Sequence, residues 1–158
     1  MQVFVLDLDP KKAALYHNDK HIVKMPTESA QILCTVHHLI SNRTDIPYRK
    51  THIHHPCVKW VLESLSNYNW LLSLLYEQLK EYSYRYERVH ATQRVYDWLL
   101  QNKPNLPNKE MTPFALVMPE QYITNDPVQS YRNFYIGDKF YFSKYKKRNF
   151  PEWFNILN

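Results

Sequence analysis

One glycine, Gly137, occurs in 158 residues. Glycine supplies the positive backbone angles and close backbone approach that phosphate-binding loops need. Its near-absence excludes the Walker loop, the dinucleotide fingerprint and the kinase glycine-rich loop together. Most nucleotide-cofactor enzymes are set aside at this step. With 44% apolar, 15% aromatic and 22% charged residues, the chain has a globular composition. A domain of this length buries roughly two-thirds of its unfolded surface, so one compact domain over residues 1–158 is expected without disulfide or structural metal. Cys34 and Cys57 are then incidental. Lys and Arg number 20 against 15 Asp and Glu, a balance of +5, with eight histidines. A polyanionic partner fits, although mild basicity is common among small proteins. The opening residues run into Asp7 and Asp9 without a basic leader or cleavage site. No apolar run reaches the roughly 18 residues of a membrane span. The expectation is a cytoplasmic chain, neither secreted nor membrane-bound.

Val3, Val5 and Leu6 form a short β-prone opening, and Asp9-Pro10 reads as a cap followed by proline at the first helical position. Asp19 is placed to cap a longer helix whose apolar residues Ile22, Met25, Ile32, Leu33, Val36 and Ile40 share one side. Pro26 should kink it. After a polar loop ending in Thr51-His52-Ile53-His54-His55-Pro56, Pro56 opens the strongest periodic pattern, through Leu79 to about Tyr86. A further helix from about Ala91 to Leu100 ends at a proline and asparagine cluster. Thr112 to Pro119 reads as a crossing loop. Asp126-Pro127 starts a last helix to about Lys146, and a basic-aromatic tail follows. The class is all-α, about five helices around one core.

In the second helix His21, Lys24, Glu28 and Gln31 line one polar strip. Glu28 lies about 40° from Ile32 on the helical wheel, at the margin of the apolar face. Burial there disfavours its charge, while Lys24 one turn earlier favours it. Such a carboxylate suits acid–base work or the support of a cationic sugar transition state. The plainer alternative is an ordinary surface pair of Lys24 and Glu28. The run His52, His54, His55 beside Cys57 invites a metal, but lacks Cys-x-x-Cys or His-Glu-x-x-His spacing and reads equally as a capping and phosphate-contact segment. No metal or cofactor is assigned. The C-terminal third interleaves Tyr131, Arg132, Tyr135, Lys139, Tyr141, Lys144, Tyr145, Lys146, Lys147, Arg148, Trp153 and Phe154. Cations there would neutralise phosphates while rings stack on bases. A solvated basic helix end with core tyrosines would look the same.

These features resemble the pyrimidine-dimer DNA glycosylases of phages and bacteria. Asp19-Lys20-His21-Ile22-Val23-Lys24 followed by Glu28 is similar to the family's long first helix, in which an Asp-x-His segment precedes the catalytic glutamate. Gln31-Ile32-Leu33, His55-Pro56 and Lys59-Trp60 are similar to the bacterial branch. Arg148 with Pro151-Glu152-Trp153-Phe154 looks like the C-terminal Pro-x-Trp-aromatic segment near the DNA. The resemblance covers about half the chain through short motifs. It implies an all-α enzyme that releases a damaged pyrimidine from duplex DNA and then cleaves the strand by β-elimination through a Schiff base, with no cofactor. It puts the catalytic glutamate on Glu28. The amine candidates are Met1, Lys24 and Lys20, since Gln2 disfavours removal of Met1. The DNA-contact candidates are Lys20, His21, Gln31, His54, His55, Trp60, Tyr131, Arg132, Tyr135, Lys146, Lys147, Arg148 and Trp153. Two other readings stay open: N-glycosidic chemistry on a free or modified nucleotide, and a non-catalytic helical protein that binds DNA or another protein.

Overall fold

The computed structural model describes the backbone of residues 1–157 and the side chains of residues 1–154. It is all-helical, with no strand among the described residues. The helices are α1 (Pro10–Tyr16), α2 (Asp19–Ile40), α3 (Pro56–Glu63), α4 (Leu65–Tyr86), α5 (Gln93–Gln101) and α6 (Pro127–Phe134), joined by short 3₁₀ and π turns. None of these is long and apolar enough to cross a membrane.

Local sequence sets most of the starts. The Asp9 and Asp126 side chains accept N–H bonds at the openings of α1 and α6, each followed by proline. Asn18 rather than Asp19 caps α2, its side chain accepting the His21 N–H at 2.9 Å. Asp19 is left free to receive the Lys146 N–H and the Arg85 guanidinium. α2 runs unbroken through Pro26.

Two expected helices are divided. The long pattern from Pro56 breaks at Ser64, whose backbone is extended and whose hydroxyl accepts the Asn67 N–H at 3.0 Å. Apolar periodicity continues across the break because both segments face the same core, so periodicity alone cannot show it. The last helix ends at Phe134 instead of reaching Lys146, passing into a π turn at Tyr135–Lys139 and a 3₁₀ turn at Phe140–Phe142. Gly137 sits in that π turn, where a Cβ would lie 2.3 Å from the Tyr122 hydroxyl. Tyr122 donates to Asp138 at 2.6 Å and holds its ring against the gap.

α4 packs along α1 and α2, and the β-prone opening takes a place no helix pattern foretold. Val3, Phe4 and Val5 have no regular secondary structure and Leu6 sits at a bend, and all four are buried in the core. The Phe4 ring stacks on His21 at 4.4 Å and meets Tyr131, Phe134 and Tyr135. Four such side chains contribute roughly 6–12 kcal/mol of burial free energy as an upper bound. The segment is pinned at both ends. Gln2 donates to the Val117 carbonyl at 2.6 Å, while Arg132 donates to the Leu6 carbonyl at 2.9 Å and to Asp7 at 3.0 Å.

Arg85 is fully buried where α1, α2 and α4 meet. It donates to Glu81, Asp19 and the carbonyls of His17 and Leu15. Beside it Ser29, Gln78 and His17 form a buried polar chain, and His17 also meets the Ala13 carbonyl at 2.6 Å.

Candidate active site

Glu28 projects from the middle of α2, nine-tenths buried. The burial of Val3–Leu6 carries the start of the chain to it. The Met1 α-amine lies 3.3 Å from Glu28 Oε1, and the Lys24 Nζ lies 3.6 Å from Oε2. The Met1 side chain is 1% exposed although the residue as a whole is half-buried, so what Met1 shows to solvent is its backbone end. Glu28 Oε2 is buried and makes no hydrogen bond. A desolvated carboxylate oxygen without a hydrogen-bond donor is costly and therefore uncommon.

These groups wall an open cavity of about 440 Å³ lined by Met1, Lys24, Thr27, Glu28, Gln31 and His52. An amine beside a carboxylate at a cavity wall suits attack on an electrophilic carbon, with the carboxylate supporting positive charge on the amine or the sugar.

Three of the predicted residues, Met1, Lys24 and Glu28, converge on this cavity, and Gln31 joins them. Thr27, and His52 from the histidine run, line it as well. Thr27 was legible as the neighbour of Lys24 and Gln31 on the helix face. That His52 of the histidine run would share this cavity was not legible, because its placement depends on a turn. Its backbone is left-handed, φ 49°, a region that costs a non-glycine residue about 1 kcal/mol or more. The His55 N–H closes the turn onto the His52 carbonyl at 2.9 Å.

His55 does not line the cavity. Its Nδ1 accepts the Cys57 N–H and caps α3. Burial first, and then the Met1 amine and His52, lower its basicity. The Cys57 thiol is pushed up to about 12 by burial, and no three His, Cys, Asp or Glu side chains among the described residues group to hold a metal ion. His54 is exposed on the loop. Lys20 is exposed one turn before Lys24, its Nζ 5.0 Å over the Phe142 ring.

Most of the remaining DNA-contact residues are turned inward. His21 is buried, stacked on Phe4 and 2.6 Å from the Tyr135 hydroxyl; burial lowers it to about 2, so it is neutral and offers no charge to a phosphate. Trp60, Tyr131, Tyr135 and Trp153 are core residues with no ring face free to stack on a base. The Trp60 and Tyr131 polar groups are engaged by the Thr112 and Ala115 carbonyls on the crossing loop. Arg132 pairs with Asp7 and lies over Tyr16 and Trp153. In the tail, Arg148 is bidentate to Glu81 and stacks on Tyr84 at 4.0 Å, Lys147 donates to Glu87 and the Tyr84 carbonyl, and Lys146 covers Tyr86. The tail's cations and rings hold the C-terminal segment to α4. Intramolecular stacking and ion pairing use the same residue types as a nucleic-acid surface, and Lys146, Lys147 and Arg148 remain exposed.

Compared with family models, curated proteins and solved structures, the chain matches none.

Proposed function

We propose that this chain is a DNA N-glycosylase that releases a damaged or modified pyrimidine from duplex DNA through an amine nucleophile and then cleaves the abasic strand. One observation carries the reading: the Met1 α-amine stands 3.3 Å from a buried carboxylate at the wall of a cavity. Breaking an N-glycosidic bond builds positive charge on the deoxyribose. Glu28 lies where a carboxylate would stabilise that charge and receive a proton from the attacking amine. The Met1 amine is the candidate nucleophile because its side chain is buried against the site, whereas the Lys24 side chain is 72% exposed. The exposed Lys20 and Lys24 on α2 supply phosphate contacts beside the cavity. A damaged base is poorly stacked and turns out of the duplex at reduced cost. Two free, buried thiols suit a reducing cytoplasm.

The test is borohydride trapping on duplexes carrying ultraviolet photoproducts, oxidised pyrimidines or an abasic site. Peptide mapping locates the adduct, and the N-terminal residue of the preparation is read by mass spectrometry. An adduct on the Met1 amine is the expected result. An adduct on Lys24 would move the nucleophile onto α2, and base release without an adduct would mean water activated by Glu28. One observation favours a second reading. With Lys147 and Arg148 paired inside the chain, the free cationic surface is smaller than a duplex-gripping tail would give. N-glycosidic cleavage of a free or modified nucleotide would then proceed at the same carboxylate. Release of base from a nucleotide but from no duplex would establish it.

A further inference from the structure

His52 belongs to the cavity and is held there by α2, the helix that carries Glu28. Thr35, seven residues beyond Glu28, is fully buried and clamps Thr51 from both sides. It accepts the Thr51 N–H at 3.1 Å, and its hydroxyl donates to the Thr51 carbonyl at 3.3 Å. The Thr51 hydroxyl in turn meets His52 Nδ1 at 2.7 Å. That bond engages one ring nitrogen and leaves Nε2 for a ligand. Among the cavity residues, Thr27 and Gln31 are not bases and Lys24 is a cation. Glu28 already faces the Met1 amine through Oε1 and Lys24 through Oε2. The remaining proton acceptor on the wall is His52.

We infer that His52 is the general base of the strand-cleaving step, a role that rests on the amine chemistry proposed above. Condensation of the Met1 amine with the C1′ aldehyde of an abasic sugar forms the C1′=N bond and expels the C1′ oxygen as water, giving an iminium that draws electron density from the C2′–H bond. His52 Nε2 takes the C2′ proton, and the C–H pair forms an enamine. That pair then makes the C2′–C3′ double bond as the enamine nitrogen's lone pair re-forms C1′=N and the C3′–O bond breaks, the 3′-phosphate leaving with the bonding electrons; water then hydrolyses the iminium and frees the Met1 amine. The imidazolium gives its proton to water. Glu28 stays paired with the iminium throughout, so the two side chains divide the work between charge support and proton removal.

The positive φ of His52 supplies a clean test. Glycine and asparagine both tolerate that backbone region, so His52→Gly and His52→Asn remove the imidazole while preserving the turn. The probe is a duplex with a single abasic site, and two quantities are read under single turnover: borohydride-trapped adduct and strand scission. Both variants should form adduct as the wild type does while scission falls ~10² to 10⁴-fold. Added imidazole should restore part of the scission rate of His52→Gly. Scission within about threefold of wild type would overturn the inference, a general base being worth far more. Adduct and scission falling in step would also overturn it, since His52 would then position the amine. A wild-type protein giving neither adduct nor scission would instead remove the amine chemistry beneath it.

Discussion

Glu28→Gln should abolish base release and leave the protein folded, and the structure sets both magnitudes. Loss of a positioned acid, base or charge stabiliser lowers the rate ~10² to 10⁴-fold, about 3–5 kcal/mol of transition-state stabilisation. Stability should hardly move, because three small effects oppose one another. Glu28 Oε2 is buried without a hydrogen bond, and replacing a desolvated charge by a neutral amide relieves about 1–3 kcal/mol. Against this, the Lys24 pair is lost; its ammonium side chain is 72% exposed, and a pair so exposed is worth ~0–1 kcal/mol. The Met1 amine also loses its carboxylate. The backbone end of Met1 faces solvent, so water replaces that partner at a cost of about 0–1 kcal/mol. The net lies within about 2 kcal/mol of zero, a change in Tm below about 8 °C for a domain of this size. Single-turnover base release and a thermal melt of the same preparation measure the two sides. A rate within about tenfold of wild type, or a loss of Tm beyond about 15 °C, would show that Glu28 holds the fold and does not carry the chemistry.

Four further outcomes are expected. Arg85→Met strips Asp19, Glu81 and two carbonyls of a fully buried donor, so calorimetry should show a loss of about 3–5 kcal/mol; a Tm within about 3 °C of wild type would refute this. Burial lowers His17 to about 4 and His21 to about 2. The unfolded chain therefore binds more protons below ~6.5, and stability present above that pH drains at about 1.4 kcal/mol per unit per histidine as pH falls toward ~4. Denaturant titrations of His21→Phe should show a shallower acid slope, and an unchanged slope would clear His21. Gly137→Ala must displace the Tyr122 ring, which should cost about 1–3 kcal/mol against about 1 kcal/mol gained in helix propensity; a more stable variant in denaturant melts would contradict that packing. Burial pushes the Cys34 thiol up to about 11 and the Cys57 thiol up to about 12, so maleimide at pH 7 should label neither thiol until denaturant is added.

What the chain determined by itself is local. Helix starts at Pro10, Pro56 and Pro127, the apolar face of α2 and the all-helical class all follow from cap chemistry and periodicity, which act within a few residues. The same locality put Lys24, Glu28 and Gln31 on one face. Tertiary structure decided the rest. Nothing within five residues of Met1 says that its amine meets Glu28; that follows from burying Val3–Leu6 between α2 and α6. His52 reaches the cavity through a left-handed turn clamped by Thr35, sixteen positions from Thr51. The basic-aromatic tail is ambiguous in sequence for the converse reason: its residue types suit DNA and suit α4 equally, and only the fold brings Lys147 to Glu87 and Arg148 to Glu81. Spacing along a helix is a short-range code. Convergence on a cavity depends on which distant segments share the core, and that is settled by packing the whole chain at once.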